Sequence, residues 1–268
     1  MSESTRAELL TTLRWLIDAG ADEAIVEAPI DRFATSAQPP KQTNPTPANP
    51  AGKTANSAAA VSLATPPGMA RALAASCTTL AELKSALGAF EGCELKRYAT
   101  NTVFADGTPN AGIMLIGEAP GREEDREGLP FVGRAGKLLD RMLASIGLDR
   151  SKVYITNVMN WRPPENRAPS PEEAASCLPF LHRHIELANP KLLILLGAVS
   201  VHHVLGLTGG ILKLRGRWEL YQSVTLRATI PTMLTLHPAY LLRQPLAKRL
   251  AWNDFLEISE KIETLGLA

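Results

Sequence analysis

Hydrophobic positions follow two patterns along the second half of the chain. Short continuous apolar runs predict buried strands at residues 113–116, 153–158, 192–196 and 232–236. Apolar residues at helical spacing predict helices at 135–146, 171–187, 198–205 and 245–264. Strands that alternate with helices form right-handed crossovers. We therefore expect an α/β fold, a three-layer α/β/α sandwich with a central four-stranded parallel sheet.

The first part of the chain is organised differently. Thr5 and Glu8 form a capping box ahead of leucines at helical spacing, which predicts an N-terminal amphipathic helix within residues 1–20. Residues 21–67 are rich in Pro and Ala and cannot bury a core, so they are predicted to be a linker. A second capping box, at Thr79 and Glu82, starts a helix that ends near Gly88. We expect one folded domain over residues 68–268.

Charge and cysteine content bear on the binding partner and on the cellular location. Lys and Arg total 28 and Asp and Glu total 27, so net charge indicates no acidic partner. Between residues 213 and 249, however, seven basic residues accompany one acid, which suits a phosphate backbone. Three cysteines and no recognisable signal peptide favour a reducing, cytoplasmic location. No apolar run reaches the ~20 residues that span a bilayer.

Three polar side chains follow the predicted strands. Glu118 lies in a Gly- and Pro-rich turn after the first strand, Asn157 lies at the end of the second, and His237 follows the fourth. Ligands of open α/β sheets bind beyond the carboxyl ends of the strands. An acid, an amide and an imidazole at that edge can converge on one small polar ligand. Taken singly, Asn157 could instead cap a turn and His237 could be a structural histidine.

Four motifs carry a resemblance to a known family. Residues 117–121 read GEAPG, 128–136 read GLPFVGRAG, 162–167 read RPPENR and 237–243 read HPAYLLR. In this order they resemble the family 4 uracil-DNA glycosylases, from about residue 87 to the C-terminus. The resemblance implies a four-stranded parallel sheet between helices. It also implies hydrolysis of the N-glycosidic bond of deoxyuridine in DNA, which would begin base excision repair.

The resemblance also implies roles for individual residues. Phe131 would stack on the flipped uracil, Asn157 would read its O4 and N3 edge, and His237 would donate to O2. Glu118 would position water or stabilise the sugar cation, and Glu124 would lie near C5, where it excludes thymine. The turn residues Gly117, Ala119, Pro120 and Gly121 would line the base pocket. The predicted DNA-contacting residues are Arg162, Arg167, Arg215, Arg217, Ala239, Tyr240, Leu241, Leu242 and Arg243, of which 239–243 would enter the gap left by the base. The expected partner is uracil-containing DNA, bound by a monomer.

The sequence departs from this family at the iron–sulfur ligands. Members carry a cluster on four cysteines, but here two of those positions are Phe90 and Trp161, and only Cys93 and Cys177 remain. Such clusters need four thiolates, so we expect no cluster and no metal. A cluster held by three cysteines is the alternative. Without this brace, the pocket is predicted to accept other deaminated bases besides uracil, xanthine first.

Three other functions remain to be weighed. A related branch traps uracil-DNA covalently through a histidine in an Arg-Arg-Ile-His loop, a tetrapeptide that this chain lacks. A non-catalytic lesion-binding protein would have no need of Glu118, Asn157 and His237 together. A nucleotide-binding enzyme would use the Gly-rich turn for phosphates, but the turn has neither the Walker lysine nor the Rossmann glycine spacing.

Overall fold

The computed structural model describes residues 67–223 and 229–267. The predicted N-terminal helix and nearly all of the predicted linker lie outside these residues. The described strands, in chain order, are β1 Asp106–Gly107, β2 Ile113–Gly117, β3 Tyr154–Asn157, β4 Leu192–Leu196, β5 Trp218–Gln222 and β6 Thr229–Thr235. The described α-helices are α1 Pro67–Ser76, α2 Leu80–Ala89, α3 Arg122–Glu127, α4 Arg134–Ala144, α5 Pro171–Ala188, α6 Ala198–Leu205, α7 Ile211–Leu214, α8 Pro238–Arg243 and α9 Lys248–Leu265.

The strands form one sheet in the order β1-β3-β2-β4-β6-β5. The four central strands are parallel, with Leu115 paired to Ile155 on one side and to Ile194 on the other. This confirms the predicted four-stranded parallel sheet. The two edge strands, β1 and β5, are antiparallel to their neighbours and were not predicted. β1 has only two residues and β5 is mostly accessible, so neither shows a continuous apolar run.

Helices cover both faces of the sheet, which confirms the three-layer architecture. Along β2, Ile113 and Leu115 face the layer that contains α4 and α9, whereas Met114 and Ile116 face the layer with α1, α2, α5 and α6. This alternation follows from the two-residue period of a strand. Every residue of β2, β3 and β4 is buried, as expected for strands covered on both sides.

Helix α1 is the main element that the sequence did not predict. It packs against α5, with Ala70 and Ala74 buried in the core. The guanidinium of Arg183 in α5 donates from Nε and Nη2 to the carbonyl of Cys77, at 2.9 and 2.8 Å, and fixes the chain just after α1. Helix α1 therefore begins at Pro67, at the edge of the segment predicted to be a linker. None of the described helices combines the length and apolarity that a membrane span requires.

Candidate active site

A polar cleft of about 300 Å³ lies at the carboxyl ends of the parallel strands. It is lined by Glu118, Ala119, Pro120, Gly121, Pro163, Asn166, Arg167, His237, Ala239 and Arg243. The cleft thus brings together the ends of β2 and β6, the loop after β3 and the start of α8. Of the predicted base-pocket residues, the turn 118–121 and His237 line it directly.

Asn157 and Phe131 lie against Gly117, at the end of β2. A Cβ on Gly117 would lie 2.4 Å from Asn157 Oδ1 and 2.5 Å from the Phe131 ring, so only glycine permits this approach. Both side chains are buried. Asn157 Oδ1 has no hydrogen-bond partner among the described residues, although most buried polar atoms of folded proteins have one. This orphaned acceptor marks a place where a ligand N–H would be stabilised.

His237 precedes α8 and caps its N-terminus. Its Nδ1 accepts a hydrogen bond from the backbone N–H of Ala239 at 3.1 Å, so in the neutral ring the proton is on Nε2. Burial, assisted by the positive charge of Arg243, lowers the pKa of His237 to about 4. The ring centroid lies 5.5 Å from that of Phe131. A Cβ on Gly197, at the end of β4, would come within 3.0 Å of His237 Cβ, so this glycine makes room for the histidine.

Glu118 is partly buried in the turn after β2. Burial raises the pKa of its carboxyl group, and the positive charge of Arg243 partly opposes that rise. The side chain lines the cleft together with His237 and Arg243. The site therefore places a carboxylate opposite an N–H donor in one polar cavity.

Glu124 and Asp125 brace the loop around the cleft. Glu124 Oε2 accepts from Gly121 N at 3.1 Å and Oε1 accepts from Gly133 N at 2.9 Å. Asp125 Oδ1 accepts from the backbone N–H groups of Thr100 and Asn101. Glu124 is buried and is not part of the cleft lining, so its carboxylate braces the loop, and its predicted place near C5 of the base stays a prediction.

Three of the predicted DNA-contacting arginines lie at the cleft or on its adjoining loop. Arg243 lines the cleft and is exposed. Arg162 donates from Nε to Asn166 Oδ1 at 2.8 Å. Arg167 lines the cleft, but its guanidinium forms a bidentate ion pair with Glu173 at 2.8 and 2.6 Å. Of the three, Arg243 therefore has its charge most available to an incoming phosphate.

The other two predicted arginines differ from each other. Arg215 is bound to the fully buried carboxylate of Asp254, which also accepts from Thr235 Oγ1 at 2.6 Å. Arg215 Nη2 donates in addition to the carbonyl of Leu250. The charge of Arg215 thus neutralises a buried acid, and its contact with DNA stays a prediction. Arg217 is exposed, and no ion pair is recorded for it among the described residues.

The segment predicted to enter the DNA forms α8. Leu241 is only 1% exposed and packs with Leu236 and Ala251, which corrects the prediction that it contacts DNA. Ala239 and Tyr240 are partly buried, and Ala239 lines the cleft. Leu242 is 36% exposed, and Leu246 in the following 3-10 turn is 94% exposed. Leu242 and Leu246 are thus the exposed leucines of residues 239–246.

The four positions expected to ligate an iron–sulfur cluster share one apolar core. Cys93 and Cys177 are buried and hydrogen-bonded to each other, a contact that lowers the pKa of Cys93 and raises that of Cys177. Phe90 packs on Phe180, with ring centroids 5.0 Å apart. Trp161 is 1% exposed and donates from Nε1 to Thr102 Oγ1 at 3.0 Å. Two thiols and two buried aromatic rings do not fit a cluster that needs four thiolates.

Sequence reasoning assigned no role to Pro163 and Asn166, although both line the cleft. Both belong to the RPPENR motif, which indicated that this loop matters but gave no function for these two residues. Asn166 and the preceding Glu165 both have φ near +55°, so the loop turns sharply there. Among the described residues, no group of three or more His, Cys, Asp or Glu side chains is placed to hold a metal ion.

Comparison with known proteins agrees with the geometry. The sequence profile described as "Uracil DNA glycosylase superfamily" matches residues 104–256. The type-4 uracil-DNA glycosylase of Sulfurisphaera tokodaii is 39% identical over 190 residues, which cover 68% of this chain and 84% of that protein. The enzyme of the same name from Thermotoga maritima is 44% identical over 155 residues, 56% of this chain and 77% of the relative. A type-5 uracil-DNA glycosylase from Pyrobaculum aerophilum is more distant, at 29% over 150 residues. The chain belongs to the uracil DNA glycosylase superfamily.

Proposed function

We propose that the protein is a monofunctional uracil-DNA glycosylase that hydrolyses the N-glycosidic bond of deoxyuridine in DNA and so begins base excision repair. The observation that carries this proposal is the unpaired Oδ1 of Asn157, buried beside Phe131 at the strand ends. The chain matches most of the length of relatives that are named type-4 uracil-DNA glycosylases, which supports the proposal.

Asn157 supplies the means to recognise uracil. Uracil offers an N3–H donor to Oδ1 and an O4 acceptor to Nδ2, whereas cytosine has no hydrogen on N3 and carries an amino group at C4. A buried amide left unpaired by the wrong base gives strong discrimination. Phe131 provides an apolar surface for the base once it has left the DNA stack.

His237 acts on the leaving group. Because its Nδ1 is occupied by Ala239 N–H and its pKa is about 4, the ring is neutral at pH 7 and donates from Nε2. This donor stabilises the negative charge that develops on O2 as uracil departs. Removing a donor at such a position costs ~2.7–4 kcal/mol of transition-state stabilisation. Glu118 in the same cavity orients the attacking water or stabilises the cationic sugar.

The test is single-turnover excision from an oligonucleotide with one uracil, by wild type, His237→Ala and Asn157→Ala. We expect His237→Ala to lose rate by ~10²–10³ with little loss of DNA binding. Asn157→Ala should lose selectivity against cytosine as well as rate. His202→Ala, an exposed position on α6, is the matched control and should excise like wild type.

Several results would contradict the proposal. Near-wild-type rates for both pocket variants would mean that the pocket is misassigned. Tight binding to uracil-DNA without excision would indicate a lesion-binding protein. A complex that survives denaturation would indicate covalent trapping.

We also propose that the protein carries no iron–sulfur cluster. The support is the buried packing of Phe90 and Trp161 at two of the four ligand positions. Protein purified without oxygen should contain no stoichiometric iron and should show no visible absorbance. The matched control is a variant with Phe90→Cys and Trp161→Cys, which restores four thiols. A brown wild-type protein with four irons per chain would contradict this proposal.

The range of bases is a separate proposal: uracil best, then xanthine, with thymine excluded. Xanthine presents a carbonyl and N–H edge that Asn157 can also pair. The loop after Trp161 is held by the indole–Thr102 bond and the Arg167–Glu173 pair, which hold it less rigidly than a metal–sulfur bond would. Glu124 can affect thymine only through the loop that it ties at Gly121 and Gly133. Matched oligonucleotides with uracil, xanthine, hypoxanthine or thymine test this, and efficient thymine excision would contradict it.

The remaining proposals concern the whole chain. We propose that residues 68–268 are the catalytic domain; the helix predicted within residues 1–20 and nearly all of the linker predicted over 21–67 lie outside the described residues. The protein binds uracil-containing DNA as a monomer in the cytoplasm, with Arg243, Arg162 and Arg217 as its phosphate contacts. Light scattering with and without a uracil-containing duplex tests the stoichiometry, and a stable dimer in both conditions would contradict it.

A further inference from the structure

Arg150 makes an unusual set of contacts just before β3. Its Nε donates to Asp140 Oδ1 at 2.8 Å, and its Nη1 forms an ion pair with Asp106 Oδ2 at 2.5 Å. Nη1 also donates to the carbonyl of Pro130 at 3.2 Å, and Nη2 donates to the carbonyl of Phe131. One guanidinium thus joins β1, α4 and the loop that carries Phe131.

Phe131 needs such support. Its φ is +55°, in the left-handed region that a bulky side chain rarely adopts. Such a conformation persists only where the surroundings impose it, and it is common at functional sites. A Cβ on Gly136 would lie 1.6 Å from the Phe131 carbonyl oxygen, so the first turn of α4 also approaches this carbonyl closely. The carbonyl therefore accepts from the guanidinium of Arg150 and packs against the first turn of α4.

This backbone conformation directs the ring into the pocket. The Phe131 ring lies against Gly117, as Asn157 Oδ1 does, and Phe131 is 4% exposed. A change of φ toward the ordinary region would swing the ring away from the base position. Because the carbonyl is anchored, the ring has a fixed place before the substrate arrives.

We propose that Arg150 is a positioning residue for base excision, which acts by holding Phe131 in its strained, base-stacking conformation. This role rests on the proposed glycosylase function. Arginine suits it because a planar guanidinium has five donors in fixed directions, whereas a lysine ammonium cannot bridge two carboxylates and two carbonyls in the same geometry. The two aspartates hold the guanidinium itself in orientation.

A double-mutant cycle tests the proposal. Single-turnover excision at saturating uracil-DNA is measured for wild type, Arg150→Met, Phe131→Ala and the double variant. A misplacement of about 1 Å can cost on the order of 10²-fold in rate, so we expect a loss of that order in Arg150→Met. If Arg150 acts through Phe131, the double variant is no slower than Phe131→Ala alone. Affinity for DNA with an abasic site, which has no base to stack, should be unchanged in Arg150→Met.

Arg183→Met is the matched control. Arg183 also binds a backbone carbonyl, that of Cys77, and a carboxylate, that of Glu186, but it lies on α5. The Arg183→Met variant should have a lower melting temperature but excise uracil at nearly the wild-type rate. Its effect on the excision rate should add to that of Phe131→Ala. If Arg150→Met does not fold, Arg150→Lys retains the charge and should show a partial rate loss with the same non-additivity.

The outcomes separate the two proposals. An active wild type with an unaffected Arg150→Met would refute the positioning role alone. Losses that multiply in the double variant would refute it too, because Arg150 would then act independently of Phe131. A wild type that leaves uracil in place would refute the proposed function, and the positioning role with it.

Discussion

At the scale of single residues, the charges around the cleft serve different purposes. Three of them line the cavity: Glu118, His237 and Arg243. The carboxylates of Glu124 and Asp125 instead accept hydrogen bonds from backbone N–H groups. Residue type alone does not separate these roles. The separation depends on which hydrogen-bond partners lie within reach, and those partners come from other parts of the chain.

Arg243 should control the acidic limb of the pH–rate profile. In the proposed function excision requires Glu118 as the carboxylate. Burial raises the pKa of Glu118, and the charge of Arg243 lowers it. The rate therefore rises as pH increases through that pKa. Removing the charge in Arg243→Gln should move the limb to higher pH, and Glu118→Gln should abolish it. Single-turnover rates between pH 4 and 8 check this, with Arg217→Gln as the control; an unmoved limb in Arg243→Gln would count against the coupling.

Arg215 and Arg217 should behave differently although they are two residues apart. Arg215→Met leaves the carboxylate of Asp254 buried without its partner, which costs ~3–5 kcal/mol in the free energy of unfolding. Its effect on the salt dependence of DNA binding should be negligible. Arg217→Met should keep stability and, if it contacts a phosphate, reduce the slope of log K against log salt by ~0.9. Urea unfolding and salt titrations check both. A stable Arg215→Met with a reduced salt slope would contradict the structural role of Arg215.

At the scale of elements, α1 and α8 have roles that their sequences did not reveal. α8 has only six residues, yet it places His237 at its N-cap, Leu241 in the core and Arg243 on the cleft. α1 has no acidic residue in its first turn and no basic residue in its last, so it has few of the usual helix signals. Its stability comes from packing on α5.

Two deletions should separate the linker from the fold. Removing residues 1–66 should leave single-turnover excision and melting temperature nearly unchanged, because α1 begins at Pro67. Removing residues 1–77 takes away the buried Ala70 and Ala74 and both bonds from Arg183 to Cys77. We expect a loss on the order of 3 kcal/mol in the free energy of unfolding. Excision lost in the shorter deletion would show that residues 1–66 contribute to activity.

At the scale of the whole molecule, each helix layer buries a titratable side chain, Asp254 in the layer with α9 and His184 in the layer with α5. The layer with α5 contains His184, which is stacked on Phe104 with ring centroids 4.2 Å apart and is bonded to the Tyr154 hydroxyl at 2.9 Å. Burial lowers the pKa of His184 to about 3. This histidine is therefore kept neutral by the fold as a whole.

His184 should make the protein less stable in acid. Its pKa is about 3 when folded and near 6.5 when unfolded, so the unfolded state binds more protons between these values. Stability should be full above about pH 6.5 and fall toward pH 3, by up to ~1.4 kcal/mol per pH unit from this residue. Unfolding free energies of His184→Gln should show a shallower slope than wild type, whatever its absolute stability. His202→Gln, at an exposed position, is the control and should keep the wild-type slope.

The local pattern of the chain determined the four parallel strands and most of the helices. Continuous apolar runs such as 192–196 have no stable place except inside a sheet that is covered on both faces. The same pattern put Glu118, Asn157 and His237 near the strand ends, and the parallel sheet brings those ends to one edge. These features depend on periodicity and on short-range geometry, which can be read without knowing the partners.

Only the tertiary structure decided which polar groups are free. Arg215 and Leu241 look accessible in the sequence, but Arg215 is paired with the buried Asp254 and Leu241 is buried in the packing of α8. Asn157 keeps an unpaired oxygen, whereas Glu124 does not, because the backbone N–H groups of Gly121 and Gly133 reach the latter. Arg150 carries no local signal, and its four acceptors lie 10–44 residues away. Long-range contacts of this kind form when the chain folds, so local sequence pattern could not assign them.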